Sequence, residues 1–175
     1  GGKLHKFERF STLYQVTSDC RPWCKDGRLG ICQRCGNVQK PITKKWLKEA
    51  EDIYYGYEMY GQADGLEQST FDSSSGSSET RSKRMVSWLS KVGAPQSGKL
   101  LDIGCGNGAF LKAFSEVYPK YELAGLELDD RNKEVIESIN GVKKLYHGNI
   151  DVLDESFDII VMVHALEHIS DPIKY

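Results

Sequence analysis

A chain of 175 residues has room for one ordinary domain, or for a small one joined to part of a larger one. Hydrophobic residues make up 39% and charged residues 27%, as in a soluble globular protein, and a formal charge of -2 excludes the broad basic footprint that nucleic acid attracts. The longest aliphatic run, Ile159-Ile160-Val161-Met162-Val163, is far too short to cross a bilayer, and the polar N-terminus has no signal-peptide core. A cytoplasmic protein that does not engage a membrane is expected.

The cysteines are the first uneven feature along the chain. Cys20, Cys24, Cys32 and Cys35 form two short-spaced pairs, and the fifth, Cys105, lies far away. Each pair can direct two thiolates at one ion, and in a reducing compartment clustered pairs bind zinc more often than they form disulfides. The expectation is a small Cys-rich zinc-binding lobe over residues 1–45. Cys32-x-x-Cys35-Gly36 is the stronger half, and His5 is an alternative to Cys24 as fourth ligand. Four thiolates would close the coordination sphere, so such a site would organise the fold without doing chemistry.

Next comes a charged, helix-prone stretch from Lys44 that runs into Tyr54, Tyr55, Tyr57 and Tyr60, then the low-complexity stretch Asp72–Ser78. Residues 46–78 read as a tyrosine-rich segment with a Ser/Gly-rich linker or lid; the tyrosines pack between lobes or wall a substrate site. From Glu79 the pattern predicts a helix with Met85, Trp88, Leu89 and Val92 on its apolar face, stopped by Gly93-Ala94-Pro95. A strand over Lys99–Ile103 follows, then a glycine turn and a helix over Ala109–Tyr118. Beyond these come a strand over Tyr121–Leu126, a helix around Arg131–Ser138, a short strand near Lys143–Tyr146 and a buried strand over Phe157–Val163. This alternation predicts an α/β fold with a parallel sheet.

The informative turn is Leu101-Asp-Ile-Gly-Cys-Gly-Asn-Gly-Ala-Phe110. Between a first strand and its helix, such a turn brings backbone N–H groups and a positive helix end to a ligand. The spacing is G-x-G-x-G where dinucleotide folds prefer G-x-G-x-x-G, and Asp102 stands two residues before the first glycine. An acid there opposes a pyrophosphate and suits an ammonium group. An acid about 20 residues past the turn, Glu127, stands where a ribose diol arrives.

These motifs resemble those of class I S-adenosylmethionine-dependent methyltransferases, from about Glu79 to Tyr175. The resemblance implies a Rossmann-like parallel sheet, of which the chain would hold the first four strands and be truncated at its C-terminus. It implies that Asp102, Gly104, Cys105, Gly106 and Gly108 hold the methionine part of S-adenosylmethionine. Glu127, with Leu128 beside it, would take the ribose hydroxyls, and Asn149 and Ile150 would border the adenine. His164 would reach toward the transferring methyl group. The Cys-rich lobe joined to this core further resembles the zinc-containing sugar C-methyltransferase group, which implies a small-molecule acceptor such as a nucleotide-linked sugar or related metabolite.

For a carbon or hydroxyl acceptor a base must remove a proton, and a histidine suits the task. His164 is the leading candidate, His168 the second, and Glu167 orients one of them or caps the next helix. These residues also spell H-x-x-E-H, an inverted zinc-peptidase motif, but no third ligand accompanies them. Two further readings stay open: a zinc-fingered rRNA methyltransferase, against which Lys40 to Lys48 interleave with Glu49, Glu51 and Asp52, and a non-catalytic scaffold that retains the cofactor fold.

Overall fold

The computed structural model describes residues 2–17, 20–24, 26–55, 67, 69–71, 73, 76–169 and 172. Tyr57 and Tyr60 lie outside the described residues, as do Asp72, Ser74 and Ser75 of the low-complexity stretch. The chain divides into two compact units, Gly1–Gln62 and Ala63–Tyr175. No helix among the described residues is long and apolar enough to cross a membrane.

The first unit is built from short antiparallel pieces. Strand β1 (Leu4–Lys6) is followed by a 3-10 turn at Glu8–Thr12, the two-residue strands β2 (Gln15–Val16) and β3 (Pro22–Trp23), then β4 (Gly30–Cys32) and β5 (Val38–Gln39). β1, β4 and β5 form one sheet in that order, and β2 pairs with β3. Helix α1 (Lys44–Tyr55) ends the described part of this unit. With strands of two or three residues, the unit buries little: Thr17, Gly30, Cys32 and Ile53 are the buried ones among its described residues.

The second unit opens with two paired antiparallel strands, β6 (Ser69–Phe71) and β7 (Ser78–Thr80). β7 runs directly into α2 (Arg81–Lys91), with the Thr80 hydroxyl accepting from the Lys83 amide as N-cap. The face expected for this helix is corrected. Ser82 and Val86 are its buried residues, Leu89 is partly buried, and Trp88 is 61% exposed. The stripe at 82, 86 and 89 follows helical spacing as well as the expected one did. Ser82 supplies a polar member that apolar patterning passes over.

Strand β8 (Gly98–Ile103), helix α3 (Ala109–Val117), strand β9 (Tyr121–Glu127), the short helix α4 (Lys133–Glu137), strand β10 (Val142–His147) and strand β11 (Ile159–Val161) complete the alternation. The four strands form a parallel sheet in the order β10-β9-β8-β11, as the alternating pattern predicts. Period-2 alternation assigns side chains to its faces. Leu100 and Leu123 point to the helix side with Val86, Phe110, Leu111, Phe114, Tyr118, Tyr121 and Ile136, while Leu101, Ile103, Ala124, Leu126 and Tyr146 form the second face with Ile150, Leu153 and Phe157. β11 is shorter than expected and half-buried, with Ile160 57% exposed. It pairs with β8 alone, so the near-continuous burial of an inner parallel strand does not apply to it.

An aromatic cluster secures the helix side. Phe114 stacks on Tyr118 at 4.6 Å between centroids and meets Tyr121 edge-on at 5.1 Å. The two phenols are satisfied: Tyr121 donates to the Pro95 carbonyl at 3.1 Å, and the Tyr118 hydroxyl lies 3.0 Å from Ser90 Oγ. Truncating the fully buried Phe114 to Ala should cost about 3–5 kcal/mol. Trp88→Ala should stay within about 0.5 kcal/mol of the parent, both read from denaturant unfolding.

Candidate functional site

The site lies where β8 passes into α3. Leu101 and Ile103 on one face and Leu100 on the other hold β8 in the sheet, so Asp102 is carried into the interior, where it is 1% exposed. In register, Asp102 lies beside Gly125 on β9 and Val161 on β11. One carboxyl oxygen, Oδ1, is buried with no hydrogen-bond partner among the described residues. Burial, and then the charge of Glu127, push this carboxyl up to about 8. A buried carboxyl of this kind is neutral at pH 7 until a cation is brought to it.

The turn after β8 is a cradle made of glycine conformations. Gly104, Gly106 and Gly108 adopt φ of 73°, 56° and 77°, a left-handed geometry that costs any other L-residue of the order of 1 kcal/mol. At Gly104 space also decides, because a Cβ would stand 2.8 Å from the Ala165 Cβ. Cys105 is buried in the helix-side core against Gly125, its thiol pushed up by burial, so only its backbone faces the turn's ligand side. Asn107 Oδ1 accepts from the Ala109 amide at 3.2 Å and starts α3.

Glu127 ends β9 beside this turn. Its two oxygens accept from the Gly106 amide and from the Leu128 amide, each at 2.8 Å. Leu128 itself is 60% exposed. The Gly148 amide donates to the Glu127 carbonyl at 2.9 Å, which ties the loop after β10, carrying Asn149 and Ile150, to the end of β9. Asn149 is exposed and begins a 3-10 turn over Ile150–Val152, while Ile150 packs on the second face of the sheet. Asn132 Nδ2 donates to the Gly106 carbonyl at 3.3 Å, a further brace on the turn.

β11 delivers its loop to the same place. His164 takes a left-handed φ of 55°, and the next residue, Ala165, lies against Gly104. His164 Nε2 is 2.6 Å from Arg81 Nη1, and Nδ1 is 3.3 Å from Glu167 Oε1. Glu167 thus contacts the ring on the side opposite Arg81. His168 is exposed on the 3-10 turn Leu166–His168. Arg81 and Asn132 carry no motif; Arg81 is 83 positions from His164, so no local pattern announces the pair.

The four cysteines of the first unit do not assemble as expected. Cys32, at the end of β4, and Cys35, in the turn before β5, are brought together, and the amides of Cys35 and then Arg34 hold the Cys32 thiol below its ordinary value. Cys20, in a left-handed conformation, and Cys24, after β3, are exposed. No group of three or more His, Cys, Asp or Glu in metal-binding arrangement occurs among the described residues. The closed four-thiolate sphere is thus not formed in this structure, because the β2–β3 pair holding the first two thiols belongs to a different small sheet from β4 and β5. His5 lies across from Ile31 and is exposed.

The four-strand parallel sheet, with a glycine turn, a buried acid before it and a second acid at the end of the neighbouring strand, is a Rossmann-like α/β fold. The family profile described as Methyltransferase domain matches residues 78–175, more than half of the sequence, and the chain belongs to that family. No curated protein matches it. Among solved structures it is similar to coclaurine N-methyltransferase bound to N-methylheliamine and SAH (16% identity, 71% of this chain and 43% of that one, TM-score 0.47). It is also similar to PKMT2 from Rickettsia typhi in complex with AdoHcy (35% identity, 45% and 17%, TM-score 0.38). A third is the sugar N-methyltransferase KedS8 from Streptoalloteichus sp ATCC 53650 (23% identity, 47% and 33%, TM-score 0.38). The chain spans less than half the length of each of these three proteins.

The raised carboxyl of Asp102 makes stability depend on pH. Below the unfolded value of 3.8 both states are protonated; between there and about 8 the unfolded chain loses a proton that the folded one keeps. Parent stability relative to Asp102→Asn should therefore fall with rising pH across that window, by up to about 1.4 kcal/mol per unit, and level off above it. Denaturant unfolding of both proteins at several pH values checks the slope.

Proposed function

We propose that this chain carries the cofactor-binding part of an S-adenosylmethionine-dependent methyltransferase that acts on a small-molecule acceptor. The observation that carries the reading is the buried, unpartnered Oδ1 of Asp102 beside the left-handed glycine turn and Glu127. An orphaned carboxyl in a pocket of low dielectric calls for a cationic partner, and S-adenosylmethionine brings both an ammonium and a sulfonium. The residues fit the group: Asp102 would face its cationic end, the Gly104–Gly108 backbone its chain, Glu127 its ribose hydroxyls, and Asn149 with Ile150 its adenine.

When bound, the cofactor supplies a methyl carbon on a sulfonium sulfur, which keeps the bonding pair and leaves as a neutral thioether as the acceptor atom takes the methyl. The chain's own work is to bind, align and move one proton. Asp102 gives up its proton when the cation arrives, so binding and deprotonation are coupled. Glu127 exchanges the Gly106 amide for stronger hydroxyl donors, and its carboxylate position is already set by the Leu128 amide. His164 Nε2 takes the proton that the acceptor atom loses, with Nδ1–H held by Glu167. His168, exposed beside it, is second for this role.

A small acceptor is favoured over RNA by the state of the basic stretch around Lys40 to Lys48. Lys45 is bound to Asp26 at 2.6 Å and lies 3.7 Å from Glu49, and Lys40 sits over the Trp46 ring at 4.1 Å. These cations are partnered within their own unit. A nucleotide-linked sugar or related metabolite is the acceptor class suggested by the resemblance of the two-part chain. Structural zinc on Cys20, Cys24, Cys32 and Cys35 belongs to the same reading, and binding would have to draw the exposed Cys20 and Cys24 to the Cys32–Cys35 pair, from which they stand apart in this structure.

Calorimetric titration with S-adenosylmethionine should show binding to the parent, with proton release at pH 7 visible as buffer-dependent heat. Asp102→Ala should bind roughly tenfold to a hundredfold more weakly, matching the about 1.5–3 kcal/mol of a charged hydrogen bond, and release no proton. Absence of heat with the parent would sink the assignment. Metal analysis of protein purified without added zinc should find one zinc per chain, lost on Cys32→Ser; substoichiometric zinc indifferent to that change would dismiss the metal.

A further inference from the structure

Arg81 stands outside every motif, yet its guanidinium makes a short polar contact with the β11 loop, 2.6 Å from His164 Nε2. Arginine stays protonated in proteins and can only donate. The Nε2 lone pair must therefore accept, which leaves the ring neutral with its one proton on Nδ1. That proton points at Glu167 Oε1, 3.3 Å away. Glu167 is held below the usual carboxylate range, first by its own backbone amide and also by His164, so it is an ionised acceptor.

Both ends of this contact are fixed by the structure around them. Arg81 is the first residue of α2, whose start is set by the Thr80 cap and by Glu67, which accepts from the Ser82 amide at 2.6 Å and the Ser82 hydroxyl at 2.7 Å. Ser82 is buried, so this turn of the helix is anchored. His164 is held in a left-handed backbone geometry with Ala165 wedged over Gly104. Glu167 and His168 from the 3-10 turn stand with Arg81 of α2 around the ring.

We propose that Arg81 is a positioning residue that caps the base nitrogen of His164 and yields it only to an acceptor carrying a carboxylate or phosphate. This inference rests on the reading of His164 as the base. A lone pair covered by a permanent cation cannot take a proton, and Glu167 is already occupied on the other side of the ring. An oxyanion offers the guanidinium a bidentate, charge-paired contact, stronger than a single bond to neutral imidazole. Docking of an anionic acceptor thus turns the guanidinium toward the acceptor, holds it, and uncovers Nε2 in the same step. The acceptor's proton then moves to Nε2 and Arg81 keeps all of its own. Acceptors without an anionic group leave the base capped.

The test is nitrogen NMR on chain labelled in histidine, with inorganic phosphate as the probe. In the parent, His164 should be the Nδ1–H tautomer with a hydrogen-bonded Nε2, and phosphate should remove that hydrogen bond. Arg81→Ala should keep the Nδ1–H tautomer, held by Glu167, but lose the hydrogen-bonded Nε2 signal and the phosphate response. Arg81→Gln, which keeps an N–H donor without charge, should retain the hydrogen-bonded Nε2 signal and lose the phosphate response; Arg81→Lys should restore both in part. An Nε2–H ring in the parent, a parent ring indifferent to phosphate, or an Arg81→Ala ring identical to the parent's would each overturn the proposal. S-adenosylmethionine binding by Arg81→Ala should equal the parent's, which also shows that the variant is folded. Failure of both proteins to bind would sink the methyltransferase reading, while the Nε2 result would still decide the role of Arg81.

Discussion

The second unit is arranged around one costly placement, the Asp102 carboxyl buried at the C-terminal end of β8 with an oxygen that no described residue satisfies. A group left this way destabilises a fold by a few kcal/mol, and selection of such an arrangement makes physical sense only if a ligand repays it. The neighbouring Glu127 raises the cost by like charge. Its own two hydrogen bonds, from the Gly106 and Leu128 amides, fix it in place. The turn between the two acids is then restricted to glycines at 104, 106 and 108, because its backbone is left-handed at all three.

Such a turn has to be held by stronger structure on its flanks. The helix-side core does this: Phe114, Tyr118 and Tyr121 interlock through ring contacts of 4.6 to 5.8 Å and fasten α3 to β9. Because β8 and β9 meet in parallel register over six residue pairs, the ends of both strands arrive together and bring Asp102 and Glu127 to one place. β11 adds the loop of His164 at the same end of the sheet. The site is thus a consequence of parallel pairing, which puts all strand C-termini on one edge.

The first unit shows the opposite balance. Its strands are two or three residues long and few of its side chains are buried, so packing alone stabilises it weakly. The Cys32–Cys35 turn is its best-formed chemical feature, with a thiol held low by backbone amides. Cys20 and Cys24 flank β3, which belongs to a separate two-stranded pair.

Much of this protein was determined by its sequence alone. Apolar runs at strand and helix periods, broken by glycine, give the alternating α/β order, and the D-x-G-x-G-x-G string specifies the turn and its acid because those are local conformational requirements. Tertiary structure decided the rest. The buried face of α2 turned on Ser82, a polar residue whose burial depends on Glu67 arriving from fifteen positions away. Whether β11 was buried depended on what packs beyond it. The partner of His164 was chosen by the helix start that brings Arg81 within 2.6 Å across 83 residues. Hydrogen bonds between segments so far apart follow from how the sheet and its helices pack, and a linear pattern carries no record of that packing.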